Sequence, residues 1–191
     1  LQRLWPCGKL KTKLRPFEPQ KNGCVNMTYQ TKCEGFTIRE ATSADAALIL
    51  ELIHGLADYE QMSGDVHTDA ETLGRNIFEK QQANVIIGEE RGVPVCFALY
   101  FYNFSTFEGR HGLYLEDLFI LPEYRGRGYG KATLKELARI AVSRGCGRLE
   151  WCCLDWNKPS IDFYLSLGAE PLDEWTVYRA TGDTLKKLAE C

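Results

Sequence analysis

Residues 118–131 read LFILPEYRGRGYGK, and they decide how the rest of the chain is interpreted. An apolar run typical of a strand ends at Leu121. Glycines then alternate with larger residues, and a helical pattern follows with Leu134, Leu137, Ala138 and Ala141 on one face. A helix that starts at such a turn presents unpaired backbone N–H groups to an anion, and glycine lets a phosphate approach the backbone. The stretch therefore predicts a phosphate-binding loop between a strand and a helix.

The spacing within this loop excludes two common phosphate-binding motifs. A nucleoside-triphosphate P-loop requires Ser or Thr after Gly-Lys, where this chain has Ala132. A dinucleotide-binding G-x-G-x-x-G requires a third glycine, which falls on Lys131 or Thr133. What remains is Arg-x-x-Gly-x-Gly over residues 125–130. A tight turn that binds no ligand is the alternative interpretation.

Strand-like and helix-like patterns alternate around the loop in the order β-α-α-β-β-β-α-β-α-β-α. The predicted strands cover 36–39, 84–88, 93–104, 113–121, 148–154 and Trp175–Ala180, and the last two helices cover 157–167 and 182–190. Three successive strands joined by short turns, followed by helical crossovers, are typical of a mixed sheet with helices on both faces. We therefore expect an α/β (α+β) fold with a mixed, mostly antiparallel central sheet of about six to seven strands.

Charge divides the chain into two parts. Residues 1–35 carry seven Lys/Arg and two Asp/Glu, contain three prolines and show no period, so they predict an irregular basic N-terminal extension. Residues 36–191 carry sixteen Lys/Arg and twenty-four Asp/Glu, and they predict a single acidic domain. An acidic domain argues against nucleic acid and favours a cationic partner. No apolar run approaches 18 residues, which argues against a membrane span.

The cysteine and histidine spacing indicates neither a metal site nor a disulfide framework. Eight cysteines include no C-x-x-C, and the three histidines lie far apart in sequence. We expect no metal, reduced thiols and a cytoplasmic location, since no secretory segment precedes the domain.

Four segments resemble one family. The loop Tyr124–Gly130 (YRGRGYG) resembles the pyrophosphate loop of GNAT acetyltransferases. Together with LEDLFI at 115–120, DWNKPSIDFY at 155–164 and DYE at 58–60, it resembles the diamine branch, the spermidine/spermine or thialysine N-acetyltransferases. The resemblance covers about residues 36–189. It implies the GNAT fold, an acetyl-CoA-dependent N-acetyltransferase, a primary amine of a small di- or polyamine or thialysine-like amine as substrate, and a homodimer.

The resemblance also implies which residues bind the cofactor. Backbone groups of Leu118, Phe119 and Ile120 would pair with the pantetheine arm, and Asn157 and Ser160 would lie near it. The pyrophosphate would lie on Gly126, Arg127, Gly128, Tyr129, Gly130 and Lys131, with added charge from Arg125, Arg127 and Lys131. Lys131 departs from the small hydroxyl residue that polyamine enzymes often have there.

Five further positions carry the predicted chemistry of direct attack by the amine and the contacts with the substrate. Glu116 is a carboxylate inside an apolar strand, which is costly unless it faces a partner or a cavity, and the resemblance makes it the base or a cation-binding group. Asp117 takes that role instead if the strand bulges. The resemblance makes Tyr164 the general acid for the departing thiolate, and Tyr59 and Glu60 substrate contacts.

Two other functions stay open at this point. One keeps the acetyl transfer but changes the acceptor to a protein or peptide amine or an amino-sugar, which an open groove would favour over a small acidic pocket. The other is a non-catalytic coenzyme A-binding or thiol-redox protein, which predicts cofactor binding without turnover.

Overall fold

The computed structural model describes residues 28–190, and a six-stranded sheet in the order β1 to β6 lies at its centre. The strands are β1 (Thr28–Gln30), β2 (Phe36–Glu40), β3 (Asn84–Glu90), β4 (Val93–Ser105), β5 (Arg110–Ile120) and β6 (Leu149–Trp151). Neighbouring strands are antiparallel except β5 and β6, which are parallel. The predicted mixed, mostly antiparallel sheet is confirmed.

Five α-helices accompany the sheet in the described residues. They are α1 (Ala46–Tyr59), α2 (Ala70–Gly74), α3 (Tyr129–Ser143), α4 (Lys158–Ser166) and α5 (Gly182–Ala189), and α2 continues as a π-helical turn over Arg75–Glu79. Within residues 28–190, no helix has the length and apolar character needed to cross a bilayer.

The alternation of apolar residues in β3 and β4 places helices on both faces of the sheet. Ile87 and Phe97 pack with Ile49 and Leu52 of α1 on one face. On the other face, Ile86, Cys96 and Ala98 pack with Leu134, Leu137 and Ile140 of α3. Successive strand residues point to opposite faces, so each strand contributes to two cores.

Three predicted segments differ from the structure. The strand predicted at 148–154 forms only over Leu149–Trp151. Thr28–Gln30, placed in the irregular extension, forms β1 on the outer side of β2, and the Arg139 guanidinium lies 4.5 Å from the Tyr29 ring centroid. A three-residue strand is too short to show an alternating pattern. Residues 1–27 of the predicted extension lie outside the described residues.

The strand predicted at Trp175–Ala180 is wrong, since this alternating segment has no regular structure and no strand beside it in the described part of the chain.

β5 contains a β-bulge at Glu116. Leu115 lies opposite Tyr100 and Asp117 lies opposite Leu99, so Glu116 is an extra residue with no partner on β4. The condition under which Asp117, instead of Glu116, is expected to carry the predicted role is therefore met, and which of the two carries it stays a prediction. A bulge changes the direction of the side chains that follow it, and here it lies next to the end of β6.

Candidate active site

An open cleft of about 840 Å³ begins where β5 and β6 separate. β6 pairs with β5 only over Leu113–Leu115, whereas β5 continues to Ile120. In the described residues, the edge of 116–120 that faces away from β4 therefore has no neighbouring strand. Apart from the Ile120 carbonyl, which accepts from Arg125, the backbone groups on this edge are available to a ligand, because such groups need a partner when they are covered.

The predicted anion loop forms one end of this cleft. Gly126 and Gly128 have φ of +74° and +85°, a left-handed conformation that residues with a Cβ adopt only at a cost. They turn the chain from the 3₁₀ turn Pro122–Tyr124 into α3, which begins at Tyr129. The first N–H groups of α3 lack intrahelical acceptors and carry the positive end of the helix dipole, so this end of the cleft suits an anion.

Two side chains of the loop hold it in place. The buried Tyr129 ring stacks on Phe36 with a centroid distance of 4.0 Å, and its hydroxyl donates to Glu90 at 2.7 Å. Arg127 donates to the same Glu90 carboxylate at 3.1 Å and to the carbonyl of Glu123. In this structure both side chains are therefore bound to groups of the protein, so a ligand at this point contacts mainly backbone atoms. Lys131 is exposed and lines the cleft.

Three carboxylates line the cleft away from the loop: Glu60, at the end of α1, and Glu116 and Asp117, at the bulge. Asp117 is half-buried and Glu116 is exposed. Burial, reinforced by the charges of Glu116 and Glu60, raises the pKa of Asp117 to about 6. Burial also raises the pKa of Glu60. A group of acids from which water is partly excluded is stabilised by a cation.

Tyr164 faces the cleft from α4. Its ring packs on Trp151 and Phe163 at centroid distances of 5.0 and 5.4 Å. Burial raises the pKa of its phenol to about 12, with smaller contributions from Cys153 and Glu60, so the group is protonated at neutral pH. Tyr164 can therefore donate a proton and does not act as a base.

Asn157 joins α4 to the opposite wall. It is 6% exposed, and its Oδ1 caps α4 by accepting from the backbone N–H of Ser160 at 3.4 Å. The same oxygen accepts from the Tyr59 hydroxyl at 3.0 Å, which links α4 to the end of α1. Asn157, a predicted cofactor contact, and Tyr59, a predicted substrate contact, are thus hydrogen-bonded to each other.

Every predicted site residue lines this cleft except Arg127, whose side chain lies on Glu90. Several lining residues were not predicted, among them Cys153 and Arg179. Cys153 follows β6, and no sequence signal marks it as a lining residue, because the cysteine spacing indicates neither a metal site nor a disulfide framework. Arg179 lies in the segment wrongly predicted as a strand, and no local sequence signal marks it as a lining residue.

The comparisons with known proteins agree with this geometry. Residues 51–169 match the model of the acetyltransferase (GNAT) family. The chain is 38% identical over 164 residues to the thialysine N-epsilon-acetyltransferase of Bos taurus, covering 80% of this chain and 96% of that protein. It is 32% identical over 171 residues to the human spermidine/spermine N(1)-acetyltransferase-like protein 1, covering 84% of this chain and 24% of that protein.

Among solved structures, the chain resembles an integron cassette protein of V. cholerae, with a TM-score of 0.69 and 29% identity. The match covers 82% of this chain and 99% of that one. The family match spans more than half of the chain. The matched residues include the loop, strands β3 to β6 and most of the residues that line the cleft. The chain therefore belongs to the GNAT family and is an N-acetyltransferase whose acyl donor is acetyl-CoA.

Proposed function

We propose that this enzyme transfers the acetyl group of acetyl-CoA to a primary amine of a small di- or polyamine or thialysine-like amine. The observation that carries the proposal is the position of Glu60, Glu116 and Asp117 in one cleft that also contains the anion loop. A substrate with two or more ammonium groups can leave one on a carboxylate while another reacts. The relatives named for thialysine and spermidine/spermine support the same class of substrate.

The cofactor is proposed to lie along the open edge of β5. Its pyrophosphate would bind the backbone N–H groups of Gly126–Lys131, and its pantetheine amides would pair with backbone groups of Leu118–Ile120. Asn157 and Ser160 would face the pantetheine from α4. This path ends near Tyr164 and the bulge, where the thioester meets the three carboxylates.

The reaction is proposed to proceed by direct attack. The amine nitrogen bonds to the thioester carbonyl carbon, the C–S bond breaks, and the electron pair leaves with the sulfur of coenzyme A. An alkylammonium has a pKa near 10, so at neutral pH the amine must first lose a proton. The neighbouring carboxylates of Glu116 and Asp117 would take it, Glu116 as the predicted base and Asp117 as its coupled partner.

Tyr164 is proposed to return a proton to the thiolate. An alkyl thiol has an ordinary pKa of about 8.5, so transfer from the phenol is unfavourable in water. The thiolate would form beside Trp151 and Phe163, which pack on the Tyr164 ring, at a place where burial raises the pKa of Tyr164. Desolvation raises the pKa of a thiol as well, which brings the two groups closer in acidity.

The first test measures release of the coenzyme A thiol from acetyl-CoA with spermidine, putrescine, thialysine, lysine and a short peptide. We expect turnover with one or more of the small di- or polyamines or with thialysine, and about a hundredfold less in Tyr164→Phe, which keeps the ring but removes the proton. Turnover with the peptide alone would overturn the proposed substrate class. Full turnover by Tyr164→Phe would overturn the assigned acid.

A pair of glycine variants tests the cofactor loop. Gly126→Ala and Gly145→Ala place a Cβ at φ of +74° and +72°, and at neither position would it meet an atom within 4 Å. Each should lose about 1–2 kcal/mol of unfolding free energy from backbone strain. Gly145 lies beyond the far end of α3, so only Gly126→Ala should weaken coenzyme A binding in calorimetry. Equal affinities for the two variants would contradict the assigned pyrophosphate position.

The carboxylate pair predicts the pH dependence of kcat/KM. The pKa of Asp117 is raised, so its charged form predominates only above pH 6, and kcat/KM should rise as pH increases through about 6. Asp117→Asn should remove this limb. Glu116→Gln should lower the rate and move the limb to lower pH, because it removes a negative charge that raises the pKa. Asp58→Asn, at the exposed end of α1, is the control. A limb unchanged in both site variants would contradict the paired role.

A homodimer is proposed from the C-terminal segment, residues 169–190. Its larger apolar side chains are each more than half exposed: Leu172, Trp175, Val177, Tyr178, Leu185 and Leu188. A group of large apolar side chains that are exposed in one segment is typical of an interface. The segment reaches the cleft through Arg179, and β6 beside that cleft pairs on one side only in the described residues. A second copy of the chain would cover both features through the same surface on each subunit.

The mass in solution tests this proposal. By sedimentation at micromolar concentration, the wild type should have about twice the chain mass of 21.7 kDa. A double variant with Val177→Asp and Leu188→Asp should sediment as a monomer. Val142→Asp, at an apolar residue of α3 that is 77% exposed outside the segment, should remain a dimer. A monomeric wild type would overturn the proposal.

The compartment proposed for this reaction is the cytoplasm. Cys33, Cys96, Cys146, Cys152 and Cys153 are all free thiols in the structure. Free thiols are typical of a reducing compartment, which supports this location.

A further inference from the structure

Arg125 lies across the cleft in this structure. Its Nε donates to the carbonyl of Ile120 at 3.0 Å. Its guanidinium lies over the Tyr59 ring, 4.4 Å from the centroid, and 5.5 Å from the centroid of the Phe119 ring. One side chain therefore connects the anion loop, the open edge of β5 and the end of α1.

The neighbouring Arg127 shows how differently the two arginines of the loop are placed. Arg127 is neutralised by Glu90, at 3.1 Å. Arg125 has no carboxylate within ion-pairing distance among residues 28–190, and its charge is held by a π face and a carbonyl oxygen. An exposed contact of this kind is weak compared with an ion pair to a phosphate. A pyrophosphate bound at Gly126–Lys131 would therefore attract this guanidinium.

The groups that Arg125 touches belong to both substrates of the proposed reaction. The Ile120 carbonyl is a predicted partner of the pantetheine arm, and it is already occupied by Arg125. The Tyr59 ring is a predicted contact of the amine, and a cation already lies on it. The Tyr59 hydroxyl is bonded to Asn157, so this ring is fixed where it meets the guanidinium.

We propose that, without the cofactor, the Arg125 guanidinium occupies the place on Tyr59 that the ammonium group of the substrate takes. Cofactor binding then moves the guanidinium from Tyr59 to the pyrophosphate. Removal of the guanidinium frees the Ile120 carbonyl for the cofactor and the Tyr59 ring for the amine. Arg125 is thus a positioning residue that couples the two binding sites, so the amine site is complete only when the cofactor is bound. This inference rests on the proposed function for the identity of the amine and its contact with Tyr59, and for the positions of the pyrophosphate and the pantetheine arm.

The coupling has a measurable size and is reciprocal. Coenzyme A should tighten amine binding about three- to tenfold, which is the equivalent of one partly exposed cation–π contact. By linkage, the amine should tighten coenzyme A binding by the same factor. A site in which Arg125 stayed in place would show no such factor, because a ligand shifts an equilibrium only by its differential affinity for the two states.

The first experiment measures calorimetric binding of spermidine and thialysine to the whole enzyme, with and without saturating coenzyme A. In Arg125→Gln, the amine should bind without coenzyme A about as tightly as it binds the wild-type complex, and the coupling factor should fall to about one. Arg127→Gln, which makes the same charge change in the same loop without touching Tyr59, should keep the wild-type factor. A wild type without coupling, or an Arg125→Gln enzyme that keeps it, would overturn the proposal.

A second readout needs no amine. In ¹⁵N-arginine-labelled enzyme, the Nε–H signal of Arg125, assigned by its loss in Arg125→Gln, should shift when coenzyme A is added, because its hydrogen bond to Ile120 is replaced. The signal of Arg39, whose Nε is held by Glu89 at 2.7 Å in another part of the sheet, should not move. An unmoved Arg125 signal at saturating coenzyme A would overturn the proposal. If no amine binds under any condition, the substrate class fails and this signal still decides the role of Arg125.

Discussion

The separation of β5 from β6 is the constraint on which the site depends. The two strands pair only over Leu113–Leu115, and the bulge at Glu116 follows at once. An uninterrupted parallel pair would use the backbone groups of 116–120 within the sheet and would leave no edge for a ligand. The gap also brings α4 beside the same stretch of β5, with Tyr164 in the helix and Asn157 capping its start. The open strand edge for the cofactor, the position of Tyr164 and the group of carboxylates all follow from the local loss of pairing between β5 and β6.

The gap between β5 and β6 must be kept open by contacts outside the sheet, because an exposed strand edge tends to pair with another strand. The core on the α3 face fixes one wall, with Leu137 and Leu115 almost fully buried. The other wall is fixed by polar contacts, since Asn157 both caps α4 and accepts from Tyr59. The cleft is therefore supported by apolar packing on one side and by a short hydrogen-bonded chain on the other.

Much of the fold could be predicted from local signals. The glycine turn after an apolar strand identified the loop, and the resemblance placed Glu116, Tyr164 and Asn157 in a site that the structure brings together. The absence of a strand at Trp175–Ala180 could not be predicted, because alternation reports propensity and a strand also needs a partner. The contact of Arg125 with Tyr59 joins residues 66 positions apart in sequence, so no local pattern reports it. The raised pKa of Asp117 likewise depends on burial and on Glu60 from another element.

The stack of Tyr129 on Phe36 has a consequence for the order in which the enzyme acquires its site. Phe36 begins β2, and Glu90, which binds both Tyr129 and Arg127, ends β3, so the loop is anchored on strands far from it in sequence. Contacts of such long sequence separation form late, because the loop-closure entropy must be overcome first. The cofactor loop should thus become ordered only after β2 and β3 have paired. A nascent or partly unfolded chain would then lack affinity for coenzyme A, and the cofactor would act selectively on the completed fold, protecting it by mass action from opening and proteolysis.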